Sequence, residues 1–138
     1  TKSISQTALA HSNLGINIEQ SGKAHQALHT TMANFDTVSS KTRDDLVVLT
    51  AAFDKFGLGM DTAGQMVEEF NKAFGTSTEE AVDMTRKLAL SAKGLNMNMS
   101  DFVKGFQSAN KVLAVYGTKS VKIFSNVAEI AAKIVIFR

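Results

Sequence analysis

Not one of the 138 residues is proline, where average usage would supply about 5%. Every position therefore keeps its backbone N–H, and none is barred from a helix interior. That points to an all-α chain, and the apolar spacing agrees. From Thr42 onward the sequence is a string of short amphipathic segments, each running through apolar or aromatic residues to a glycine: Gly57, Gly75, Gly94 and Gly117. Glycine enters the left-handed, helix-ending conformation without a Cβ penalty. The start signals match the stops. Ser77 and Glu80 form a capping box, Thr42 with Asp45 is a weaker analogue, Asp61 or Thr62 caps the next helix, and Asn98 or Ser100 another. These signals predict helices over 43–56, 62–74, 78–93, 99–116 and 118–138, assembled as a bundle.

Residues 1–40 read differently. Ser, Thr, Gln, Asn and Gly dilute a thin apolar stripe through Ala24, Leu28, Met32 and Phe35, which predicts one helix near 23–37. Before it, Gly15 and Gly22 interrupt any long helix, and Ile16 with Ile18 alternate as in an extended piece. The chain thus divides into a polar, weakly ordered arm over 1–40 and a Gly-punctuated helical segment over 41–138. Thr1 is not an initiator Met and Arg138 falls in mid-pattern, so the sequence reads as an excerpt of a longer chain. The Gly-to-Gly units are unequal in length, which argues against a solenoid of fixed period.

Composition sets further bounds. With 44% hydrophobic and 20% charged residues, the chain has the balance of a soluble folding protein rather than a disordered one. A length of 138 residues suffices to bury roughly two thirds of the unfolded surface. Cysteine is absent, which removes disulfides, thiolate zinc sites and cysteine nucleophiles together. The net charge of +2 comes from Lys and Arg scattered singly, not from a nucleic-acid-binding run. Apolar stretches such as 134–137 fall far short of the roughly 20 residues that span a bilayer.

Two helical faces carry the most information. After Ser100, the residues Phe102, Phe106, Ala109, Leu113 and Tyr116 recur at steps of four and three and form one seam, with Lys104, Gln107 and Lys111 opposite. The last helix has two adjacent seams. One runs through Val121, Phe124, Ala128, Ala131 and Val135, the other through Ile123, Val127, Ile130, Ile134 and Phe137. Only a narrow polar stripe remains, so this helix is expected to lie between two packing partners. The candidate partner-binding residues are Phe102, Phe106, Leu113, Tyr116, Ile123, Val127, Ile130, Ile134 and Phe137. Met60, Met66, Met84, Met97 and Met99 suit either a plastic surface or core filling, and core filling is the commoner use.

No motif for chemistry is complete. His25 and His29, four residues apart, share a helix face, yet no third ligand lies nearby in sequence. Gly59 and Gly64 have the spacing that opens a phosphate-binding loop, but Gln65 and Met66 stand where Lys and Ser or Thr are required. Glu68 with Glu69, and Glu79 with Glu80, are sequence neighbours pointing about 100° apart on a helix, so neither pair can flank one bond. The expectation is a non-enzyme without metal or cofactor.

The stretch AAFDKFGLGMDTAGQMVEEFNKAFGTSTEEAVDMTRKLALSAKGLNMNMSDFVKGF, with SANKVLAVYGTKSVKIFSNVAEIAAKI after it, resembles bacteriophage tail tape measure proteins and related internal virion proteins. The likeness covers about 42–134 and is one of phrasing, without an invariant functional motif. It implies a structural virion component, made in the bacterial host cytoplasm and housed in the phage tail. Such a chain sets tail length during assembly and leaves ahead of the genome. It also implies a homo-oligomer of three or six copies, packed against the tail tube and distal tail or hub proteins. The Gly-broken helices do not suit a long ruler rod, so this piece corresponds to a folded region near an end. A rival reading is a stand-alone helical binding module, an adaptor or regulator, with a groove around Phe70 and Phe106.

Overall fold

The computed structural model describes residues 17–136, and among them there is no strand. In order come α1 (Ile18–Thr31), a single 3₁₀ turn (Phe35–Thr37), α2 (Ser40–Lys55), α3 (Thr62–Phe74) and α4 (Thr78–Gly94). Then follow α5 (Met99–Leu113), a 3₁₀ stretch (Ala114–Lys119) and α6 (Ser120–Ile136). Each α-helix packs on its neighbour in the chain, and α1 also meets α3, α2 meets α4, and α4 meets α6. Over the described residues the chain is thus all-helical.

The first helix departs from expectation at both ends. Asn17 and Gln20 form a reciprocal capping box, with Gln20 N–H donating to Asn17 Oδ1 at 2.8 Å and Asn17 N–H donating to Gln20 Oε1 at 3.0 Å. That cap starts α1 at Ile18, so Ile18 is helical rather than extended and Gly22 lies inside the helix. The division at residue 40 is no break in packing either. Ala24, Leu28, Met32 and Phe35 are buried in the same core as Leu46, Val67, Leu88 and Phe106. Gly15 and Ile16 lie outside the described residues.

Ser39, rather than Thr42, caps α2, its Oγ accepting from Thr42 N–H at 3.2 Å. Thr42 is instead buried in the first turn. The Ser77–Glu80 box caps α4 as expected, with bonds of 3.1 and 3.3 Å. Asn98 caps α5, accepting from Asp101 N–H at 3.0 Å. Asp61 occupies the cap position of α3 without a side-chain bond.

Glycine and helix end coincide at some positions and not at others. Gly57 (φ 88°) follows the α2 cap residue Phe56, and the Leu58 N–H reaches back to the Phe53 carbonyl at 3.0 Å. Gly75 (φ 66°) ends α3. Gly94, however, is still helical, and α4 closes through Asn96 (φ 55°), with Met97 N–H donating to the Ala92 carbonyl at 2.9 Å. Asparagine tolerates the left-handed region better than most residues and does the work expected of glycine. Near the chain's end α5 stops at Leu113, three residues short of Tyr116. The 3₁₀ stretch carries the chain to Gly117, whose φ of 54° and ψ of −126° redirect it into α6.

Aromatic side chains tie the second half together. Phe70 on α3 meets Phe106 on α5 at 5.6 Å between ring centres, and Phe124 on α6 meets both Phe106 (5.4 Å) and Phe102 (5.0 Å). Spacings and tilts of this kind suit the ring quadrupoles.

Candidate functional site

Of the residues expected to contact partners, Phe102, Phe106 and Leu113 are buried in the chain's own core and offer no surface to another molecule. That corrects their assignment. The aromatic contacts explain it, since α6 supplies within the chain the apolar neighbour that the α5 seam requires. The groove expected around Phe70 and Phe106 is closed for the same reason, both rings being fully buried.

Each seam of α6 is covered near the start of the helix and open further along. Val121 is buried, and Phe124 and Ala128 pack against the core beside Ile123. Further along, Val127 is 60% exposed and Ile130 59%, and Ala131 is exposed too. The side chains of Ile134 and Phe137 lie outside those described. Where α5 gives way to 3₁₀ turns, Val112, Val115 and Tyr116 are also exposed, Tyr116 by 49%. The last two elements therefore bury their near faces and leave apolar outer faces uncovered.

His25 and His29 do come together, but around an aromatic ring. Both approach Phe35 edge-on, with centres 5.7 and 4.9 Å away, and His29 Nε2 lies 3.6 Å from Asp36 Oδ1. His25 is buried, and its Nε2 has no hydrogen-bond partner. Burial above all, then the nearby His29 and Arg43, lowers its pKa below the ordinary 6.5, with Asp44 pulling the other way. Among the described residues no group of three or more His, Asp or Glu is placed to hold a metal ion.

Gly59 (φ 85°) sits in the loop before α3, whereas Gly64 lies within the helix, buried against Thr31 of α1. Close packing of α3 on α1 is what this glycine serves. Glu68 and Glu69 flank a shallow cleft with His29 and Lys72, and desolvation raises the Glu69 pKa above 4.5. Met66 and Met84 fill the core, while Met97 reaches solvent. No helix among the described residues is long and apolar enough to cross a membrane.

The sequence reading missed one surface. Phe56 at the end of α2 (56% exposed) and Leu90 on α4 (59% exposed) border an open groove between those helices. The available signal was Leu90, which lies opposite the buried stripe of α4, whereas Phe56 follows Leu49 and Phe53 at steps of four and three and reads from sequence as core. No family model matches the chain, and no curated protein or solved structure matches it.

Proposed function

We propose that this chain is a structural component that acts by self-association, a segment of a bacteriophage tail tape measure protein. In this reading three or six copies gather about the tail axis, near an end of the tail tube, against distal tail or hub proteins. The observation that supports it is the uncovered apolar face of α6 at Val127 and Ile130. Burying such a side chain yields about 1.5–3 kcal/mol relative to leaving it in water, and cyclic symmetry lets every copy cover its neighbour. No catalytic role is part of this reading, because the sequence marks no nucleophile with a base and an orienting acid.

Sedimentation of the chain with and without Val127→Asp and Ile130→Asp tests the assembly. A discrete trimer or hexamer, reduced to a monomer of unchanged melting temperature by the substitutions, is the expected outcome. A wild-type monomer at every concentration rules the assembly out. The tail assignment is tested separately by the reading frame that encodes the chain. A parent of many hundreds of residues, rich in alanine, glycine and helices, is expected, and one of about this length favours the stand-alone module instead.

A further inference from the structure

The groove between α2 and α4 is a second uncovered surface, separate from the α6 face. Val48 and Ala52 on α2 and its cap residue Phe56 recur at steps of four, Ala89 and Leu90 line the α4 side, and Met99 at the start of α5 completes the floor. The space they enclose is about 570 Å³. From Val48 to Phe56 the stripe runs for about 12 Å at the rise of a helix, which suits an occupant of two to three helical turns.

Charge sets the kind of occupant. The groove also takes in Lys41, Arg86 and Lys93 against a single carboxylate, Asp45, so three cations less one anion leave a net +2. Asp45 is itself engaged by Lys41 Nζ at 3.3 Å and by Arg86 Nη2 at 3.5 Å, and Arg86 Nη1 also lies 3.9 Å from Asp83 Oδ1, so Lys93 is the lining cation that stands outside these ion pairs. What remains is an apolar floor in a cationic frame. The chain's own segments do not complement it. Residues 1–16 contain Lys2 and no carboxylate, and α6, the other helix with an open apolar face, carries Lys122 and Lys133 against Glu129 alone.

We propose that this groove docks one amphipathic helix of a different protein, with apolar residues along one stripe and Glu or Asp on its flanks. The apolar face would settle between Phe56 and Leu90, and the acidic flanks would meet Arg86 and Lys93. This docking does not depend on self-association through α6.

The test is selection of a displayed library of helical peptides on the intact chain, followed by anisotropy measurements with the enriched peptide. Sequences with acidic residues flanking an apolar stripe are expected. Their binding should weaken with added salt, and about tenfold or more with Phe56→Ser or Lys93→Glu, and stay unchanged with Ile130→Asp. Phe56 and Lys93 are exposed, and thermal melts of both variants verify that the fold is kept. The proposal is overturned if no peptide is enriched, if the enriched peptides lack acidic flanks, or if binding survives Phe56→Ser. Preferential capture of phosphatidylglycerol vesicles over any peptide overturns it too.

Discussion

Gly64 of α3 lies so close to Thr31 of α1 that a Cβ at position 64 would overlap the Thr31 hydroxyl, which itself donates to the Ala27 carbonyl at 2.9 Å. The α1–α3 crossing therefore depends on a residue without a side chain. Gly64→Ala is expected to destabilise the fold by about 1–3 kcal/mol, as overpacking does, and Thr31→Ala in the same chain should recover part of that loss. Gly22 is the contrast, being inside α1 with open space where a Cβ would go. Gly22→Ala should stabilise by about 0.4–1 kcal/mol. Urea unfolding of the variants decides the matter, and equal stability of Gly64→Ala and wild type would show that the helices can part without loss.

Helix ends offer a second contrast. Gly75→Ala should cost about 1 kcal/mol, because position 75 holds a left-handed conformation. Gly94→Ala should instead gain a few tenths to about 1 kcal/mol, since Gly94 is helical with nothing near its missing Cβ. Circular dichroism melts read both changes. Opposite signs are the expected result, and a loss of similar size at both positions would mean that α4 also ends on its glycine.

These positions show what could be read from the sequence. Helical class followed from the lack of proline and from apolar spacing, both properties of single segments. The Ser77–Glu80 box was legible because its signal is local and complete, and the Asn17–Gln20 box was passed over because the polar residues around it hid the helix they start. The allocation of seams was not legible. Whether Phe102 and Phe106 face a partner or Phe124 of the same chain depends on how α5 turns into α6, and that turn rests on the backbone of Gly117. The packing role of Gly64 was hidden for a related reason, as its spacing to Gly59 is visible in sequence and its contact with Thr31 is not.

The aromatic contacts predict where the second half of the fold is weakest to truncation. Phe106 is buried and touches rings on both α3 and α6, so Phe106→Ala should cost about 3–5 kcal/mol. Val127→Ala, at an exposed site, should change monomer stability by no more than about 0.5 kcal/mol. Denaturant midpoints measured at low concentration, where monomers prevail, give the comparison. A small effect at Phe106 would place α5 outside the cooperative unit.

His25 should make stability depend on mild acidity. Its ring is buried beside Phe35, and its pKa is lowered chiefly by burial, so the folded chain keeps it neutral at pH values where the unfolded chain takes up a proton. Between the unfolded value near 6.5 and the lower folded one, the unfolded state thus binds more protons, and stability falls as the pH falls through that window. Below the folded value the effect is complete. Glu69 works in the opposite sense, because desolvation raises its pKa from 4.5, and the stability it contributes is present at low pH and lost as pH rises through its folded value. Its side chain is largely exposed, so its share should be minor. The urea midpoint of the wild type should be lower at pH 5 than at pH 7. His25→Leu should flatten that difference, whereas Glu69→Gln should leave most of it. If His25→Leu keeps the full pH dependence, the destabilising proton binds elsewhere and the buried imidazole is not its acceptor.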